Sequence, residues 1–115
     1  MDESKKYTQI NRNFLRGMNA INRENADLTR SFNGLHQTVM KAGTLDVATK
    51  ELMALACAIV TGCESCIAMH TDAALRAGAT REAFQETLSV AVLMGGGPAL
   101  TYATKAVEAF DEFSG

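Results

Sequence analysis

The feature that most restricts the fold is an uninterrupted apolar run at residues 52–60, in the middle of the chain. A segment that is apolar on every side has to be covered on most sides, and this one is far shorter than the ~20 residues that span a bilayer. Its alanine and leucine content, together with the preceding Lys50 and Glu51, favours a helix over a strand. We therefore expect a central helix that is buried on most sides, and no membrane-spanning segment.

Helical periodicity extends over most of the remaining chain, and only one proline occurs among the 115 residues. Asp46 and Thr80 are good N-cap residues, Gly78 suits a helix end, and Pro98 suits a first turn. These signals predict an all-α fold, a compact bundle of about six helices with short connections, forming a single domain over residues 1–115. The predicted segments are 4–22, 26–41, one from position 46 through the apolar run, 61–78, 80–95, and one from position 98 onwards.

The first predicted segment is the weakest helix by propensity, because five asparagines precede position 26. We expect it to pack against another element, since it would otherwise fray. The chain starts with charged residues and shows no apolar targeting stretch, so we expect a soluble cytoplasmic protein. Cysteines in that compartment are more often catalytic or metal-binding than structural.

The charge balance restricts the partners of the protein. The chain has 11 basic and 13 acidic side chains, a net charge of −2. Binding to nucleic acid requires a basic surface that displaces counterions, and a polybasic membrane anchor requires a cluster of lysines and arginines. We therefore expect neither nucleic acid nor a membrane as a partner.

Four reactive side chains fall within twenty residues: Glu51, Cys63, Cys66 and His70. Cys63 and Cys66 share one face at the start of a predicted helix, where exposed N–H groups stabilise a thiolate. His70 lies one turn further on and can accept a proton. A tight hairpin between the third and fourth helices would bring the Glu51 carboxylate to the same place. Two thiols, a base and a carboxylate predict a thiol redox site, with one thiol attacking and the other forming the disulfide.

The pattern Glu-x11-Cys-x2-Cys-x3-His matches that of the alkylhydroperoxidase D-like group of the carboxymuconolactone decarboxylase family at every interval. The chain resembles this family over roughly residues 35–110, and the resemblance is weaker in the first 30 residues. Flanking segments that also resemble the family are Gly43-Thr44-Leu45-Asp46, Thr49-Lys50-Glu51-Leu52, Ala77-Gly78-Ala79 and Gly96-Gly97-Pro98-Ala99.

The resemblance implies an all-α fold that assembles into homo-trimers or homo-hexamers, and an enzyme that needs no cofactor or metal. It implies a peroxidase or disulfide reductase that acts on a hydroperoxide or a disulfide and is reduced by a dithiol donor. Cys66 would attack the peroxide, Cys63 would close the disulfide, and Glu51 and His70 would relay protons. Alkylhydroperoxidase D has a histidine immediately before its second cysteine, where this chain has Ser65, and this difference favours general disulfide reduction.

The sequence leaves open which cysteine reacts first, and it is compatible with two other functions. The position at the helix start favours Cys63 as the more reactive thiol, whereas the imidazole one turn later favours Cys66. The same four residues are also types that zinc accepts, so a zinc-binding module is one alternative function. A lactone decarboxylase that does not use the cysteines is another. Cys57, inside the apolar run, is predicted to be a core residue.

Overall fold

A computed structural model describes residues 3–115, and these residues form helices and connecting turns with no β-strand. This confirms the all-α fold class. A short 3₁₀ turn at Glu3–Lys5 precedes the first helix. The helices are α1 (Lys6–Glu24), α2 (Ala26–Met40), α3 (Val47–Thr61), α4 (Glu64–Arg76) and α5 (Arg81–Ser114).

The helix ends follow the chemistry of the terminal residues. Asp46 accepts a hydrogen bond from the Thr49 backbone N–H at 2.8 Å and thereby caps α3. Thr80 caps α5 in the same way. The last two predicted segments form one element, α5, which is kinked at Gly96 (φ 70°, ψ −151°). Among residues 3–115 there are thus five helical elements, and the last of them consists of two helical segments that meet at Gly96, within the glycine run where the sequence predicts a break.

Helices α3, α4 and α5 pack against one another and enclose the main core. Leu55 and Ile59 of α3 and Ile67 of α4 are fully buried there. Phe84 and Phe110, from the two halves of α5, stack with ring centroids 4.3 Å apart. Because α5 is kinked, both of its halves pack against the core. The α3–α4 hairpin, which packs against α5, carries the four reactive residues.

The first turn of the asparagine-rich α1 is held by hydrogen bonds to the C-terminal half of α5. The Glu112 carboxylate accepts hydrogen bonds from the backbone N–H groups of Tyr7 at 2.9 Å and Thr8 at 2.7 Å. The buried Tyr7 hydroxyl donates to Glu108 at 2.8 Å. The pKa of Tyr7 is raised well above its usual range, mainly because the phenol is buried and also because of this hydrogen bond to Glu108. The first helix thus has the packing support that its sequence requires: it packs along α4 and α2, and Tyr7 is buried against Ala68 of α4 and Ala109 of α5.

Two apolar surfaces stay outside the core of the single chain. Cys57 is exposed, so the prediction that it fills the core is wrong. The reason is that one side of α3, with Met53 and Val60, faces outward, although the apolar run predicted burial on most sides. The apolar stripe of α2, predicted from its periodicity, is also exposed, and its members are Leu28, Phe32, Leu35 and Val39. Among residues 3–115, no helix is long and apolar enough to cross a membrane.

Candidate active site

The two cysteines of the predicted site sit at the start of α4 and are joined by a disulfide bond. Cys63 is the N-cap of the helix, and its Sγ accepts a hydrogen bond from the Cys66 backbone N–H at 3.2 Å. Ser65 Oγ lies 3.8 Å from the same sulfur. Both cysteines are half-buried. The sulfur of Cys63 thus occupies the position where the N–H groups and dipole of a helix start favour negative charge.

Gly62, whose backbone is in the left-handed conformation, forms the turn that places Cys63 at the start of α4. Gly62 ends α3 with φ 74° and ψ 47°, a conformation that costs little only for glycine. Tyr102, a residue of α5, packs its ring against this turn. A Cβ atom at residue 62 would lie 3.0 Å from Cε2 of that ring. Sequence reasoning missed Tyr102, because it lies forty residues further along the chain and its spacing gives no sign of this contact.

Glu51 and His70 are brought together as predicted. Glu51 Oε1 lies 2.7 Å from His70 Nδ1, and the Glu51 residue is 5% exposed. An ionised carboxylate can only accept a hydrogen bond, so Nδ1–H of the imidazole donates and Nε2 is left for proton exchange. Since His70 follows Cys66 by one turn of α4, the imidazole and the cysteine share one side of the helix. A carboxylate that holds an imidazole in one tautomer is a recurring arrangement around reactive nucleophiles.

Charged side chains outside the motif surround the first turn of α4. Glu64 Oε2 lies 3.6 Å from Lys6 Nζ and 3.4 Å from Lys105 Nζ, so α1 and α5 both contact the residue that follows Cys63. All three side chains are about one-third exposed. They are joined by long-range packing, and no motif in the sequence indicates them.

The four motif residues are not arranged as a metal site. In the part of the chain that the structure describes, no group of three His, Cys, Asp or Glu side chains is placed to hold a metal ion. Two of the four potential ligands, Cys63 and Cys66, are also bonded to each other, and zinc binds thiolates. The geometry is that of a dithiol/disulfide pair next to an oriented imidazole.

The fold and site together define an all-α protein with a cysteine pair at a helix start and a Glu–His pair beside it. Residues 26–109 match the model of the carboxymuconolactone decarboxylase family. A structure of a family member from Legionella pneumophila superposes with a TM-score of 0.94 at 41% identity, covering 96% of this chain and 99% of that one. The chain therefore belongs to the carboxymuconolactone decarboxylase family.

Further relatives extend the comparison. An uncharacterised protein of Cupriavidus necator is 39% identical over 110 residues, which are 96% of this chain and 94% of that protein. A family structure from Thermotoga maritima, for which a role in the antioxidative response has been suggested, has a TM-score of 0.81 at 31% identity and covers 96% of this chain and 91% of that one. The alkyl hydroperoxide reductase AhpD of Mycolicibacterium paratuberculosis is 30% identical over 87 residues, 76% of this chain and 47% of that protein.

Proposed function

We propose that this protein is a thiol-disulfide oxidoreductase that reduces a hydroperoxide or a disulfide through Cys63 and Cys66. The observation that carries the proposal is the joined cysteine pair at the start of α4, with the Glu51–His70 pair one turn away. The likeness to an alkyl hydroperoxide reductase and the role suggested for the Thermotoga relative support the same chemistry.

The proposed cycle balances atoms and electrons. The Cys66 thiolate attacks the terminal peroxide oxygen, the O–O bond breaks, and the alcohol leaves with a proton delivered through His70. Cys66 is thereby oxidised by two electrons to a sulfenic acid. Cys63 then attacks the Cys66 sulfur, the S–O bond breaks, water leaves and the disulfide forms. An external dithiol reduces the disulfide through a mixed disulfide and becomes a disulfide itself. With a disulfide as substrate, the reduced cysteine pair acts by the same exchange.

Each residue has a separate task in this cycle. The start of α4 stabilises the thiolate form of the pair, and the hydrogen bond from the Cys66 N–H to Cys63 Sγ shows how closely that helix end approaches the sulfur. Glu51 orients His70 and stabilises its protonated form, so that the imidazole can pass a proton to the leaving group. The structure corresponds to the oxidised end of the cycle.

The alternatives predict different dependence on the cysteines. A decarboxylase of lactone acids would keep its activity without them. A zinc module requires the disulfide to open and three or more ligands to converge, which the described residues do not do.

The experiment measures turnover of cumene hydroperoxide and of a small disulfide, with dithiothreitol as the electron donor. Cys66→Ser is expected to abolish peroxide turnover. Cys63→Ser is expected to stop at the sulfenic acid, which dimedone traps and mass spectrometry locates on Cys66. Cys57→Ser is the matched control and keeps full activity, because Cys57 is a free thiol outside the site. Undiminished turnover in both Cys63→Ser and Cys66→Ser would overturn the proposal.

A further inference from the structure

Three charged side chains meet at the first turn of α4, directly beside the disulfide. Glu64 follows Cys63 in the chain, and its Oε2 lies 3.6 Å from Nζ of Lys6 in α1 and 3.4 Å from Nζ of Lys105 in α5. These three residues are here called the charge cluster. Neither the sequence motif nor the proposed cycle uses them, although Cys63, the N-cap of α4, precedes one of them directly.

The fold holds the charge cluster in place. The Lys6 ammonium lies 5.3 Å from the centre of the Tyr7 ring, and Tyr7 is buried. The three charged side chains are between 33% and 37% exposed, so none of them extends freely into water. Three separate helices therefore bring two cations and one anion to the cysteine pair.

The cluster is close enough to the cysteine pair to act on it electrostatically. Consecutive Cα atoms are about 3.8 Å apart, so the Cys63 sulfur and the Glu64 carboxylate are separated by a distance on the order of 8 Å. This distance is comparable with the Debye length in physiological salt, about 8 Å. A disulfide carries no charge, whereas the reduced pair forms a thiolate. The cluster therefore changes the energy of the reduced pair and has little effect on that of the disulfide.

The charges of the cluster act in opposite directions. The Glu64 carboxylate disfavours a thiolate on the neighbouring cysteine, because the two charges have the same sign. The ammonium groups of Lys6 and Lys105 favour the thiolate and offset the carboxylate. With two cations and one anion, the cluster adds a net positive charge to the helix start.

Other ionisable groups around the pair have separate contacts. Glu51 of α3 pairs with His70 of α4 at 2.7 Å. Glu108 and Glu112 of α5 accept hydrogen bonds from the first turn of α1. The Tyr102 phenol carries no charge at neutral pH. These groups are the same in every variant compared below, so their effects cancel.

We propose that Lys6 and Lys105 stabilise the thiolate of the reduced cysteine pair against the charge of Glu64, and thereby set the equilibrium between its dithiol and disulfide forms. In the proposed cycle, this makes the disulfide easier for the dithiol donor to reduce and keeps a thiolate ready for the next substrate. The inference rests on the proposed function, because it concerns the same cysteine pair.

The test measures the equilibrium of the pair with glutathione at about 0.1 M salt, where the Debye length is about 10 Å. Two glutathione thiols give two electrons to the Cys63–Cys66 disulfide and become glutathione disulfide. Their two protons pass to the pair or, for a sulfur that stays a thiolate, to the buffer. All proteins carry Cys57→Ser, which removes the free thiol outside the site. Alkylation and mass spectrometry give the dithiol fraction.

Two variants break the same ion pair but change the charge in opposite directions. Lys105→Gln is expected to shift the equilibrium toward the disulfide by about two- to fivefold, a potential lower by about 10 to 20 mV, because the partly exposed charges are screened. Glu64→Gln is expected to shift it toward the dithiol by a similar factor. Both shifts should shrink toward 1 M salt, where the Debye length is about 3 Å.

Arg81→Gln is the matched control. It also removes a cation from an ion pair, the one with Asp111, but this pair lies beyond the other end of α4. The control is expected to keep the wild-type equilibrium. If circular dichroism shows that a variant does not fold, Lys6→Gln replaces Lys105→Gln and Glu64→Ala replaces Glu64→Gln, with the same expected directions.

A second measurement follows the reaction of the reduced pair with iodoacetamide as a function of pH. The thiolate is the reacting form, so the rate falls as it becomes protonated. The midpoint of this profile is expected at higher pH in Lys105→Gln and at lower pH in Glu64→Gln than in the Cys57→Ser parent. A common midpoint in the three proteins would contradict the proposal.

The results that would overturn the inference are distinct from those that concern the function. If the ion pair only held the first turn of α4 together, its loss would move both variants in the same direction, and that result would refute the proposal. Wild-type equilibria in both variants, or shifts of the reversed sign, would also refute it. A wild-type disulfide that dithiothreitol does not open would refute the proposed function, and this inference with it.

Discussion

Replacing Glu51 by glutamine separates the role of its charge from the role of its shape. Glutamine has the same length, and its Oε1 can still accept the hydrogen bond that His70 Nδ1 now makes to Glu51 at 2.7 Å. The variant therefore keeps the orientation of the imidazole and removes the negative charge that stabilises its protonated form. The Glu51 residue itself is shielded from water, since it is 5% exposed, so solvent does not replace the lost charge at that position.

The expected effects on activity and on stability differ in size. Loss of a positioned proton-transfer group slows the chemical step by about 10²- to 10⁴-fold, or about 3 to 5 kcal/mol of activation free energy. A charge-assisted hydrogen bond contributes about 1 kcal/mol more than a neutral one, but burying an ion pair carries a desolvation cost that offsets this gain. The free energy of unfolding of Glu51→Gln should therefore stay within about 1 kcal/mol of the wild type.

The measurement combines peroxide turnover, with dithiothreitol as donor, and urea unfolding followed by circular dichroism. Glu82→Gln, which removes an exposed carboxylate from the first turn of α5, is the matched control and leaves both quantities unchanged. Peroxide turnover within about threefold of the wild type in Glu51→Gln would refute the assignment of Glu51 to the proton relay.

Two further predictions concern Gly62, in the turn before the cysteine pair, and Tyr7, in the first turn of α1. Gly62→Ala should lower the free energy of unfolding by about 1 to 2 kcal/mol, because alanine is strained at φ 74° and its Cβ would contact the Tyr102 ring. Urea unfolding measures this loss. Gly43→Ala is the control and should show no such loss, because the space around Gly43 is open. Tyr7→Phe should cost about 1 kcal/mol at about pH 8, where the phenol is protonated and donates to Glu108. Because the pKa of Tyr7 is raised in the folded state, the stability that its hydroxyl contributes is present below about pH 10 and is lost at higher pH. The difference between wild type and Tyr7→Phe should therefore shrink toward about pH 11, and a difference that grows there would contradict the assignment.

The proximity of the four candidate side chains could be predicted from the sequence because these residues are close in the chain. Glu51 and His70 are nineteen positions apart and lie on consecutive helices, so a single tight turn brings them into contact. Cys63 and Cys66 need only the first turn of one helix. The family resemblance rests on the same short spacings, and for this reason the motif identified the fold class as well.

The sequence could not show which apolar faces the chain itself covers. Periodicity identifies the apolar side of a helix, but it does not reveal whether that side packs within the chain or against another one. For this reason the sequence pattern predicts Cys57 in the core, whereas the residue lies on the outer side of α3. The contacts of Tyr102 with the Gly62 turn and of Glu112 with Tyr7 depend on the tertiary fold, and no local pattern encodes them.

The hydrogen bonds from Tyr7 and Thr8 to Glu112 also affect the order in which the protein can be completed during synthesis. About a hundred residues separate the first turn of α1 from the carboxylate that caps it, which takes about 5 to 20 s to synthesise at typical rates. Until then α1 has left the ribosome, but the carboxylate that accepts hydrogen bonds from its first turn has not been made. The last turns of α5 thus determine when the first helix of the chain becomes fixed.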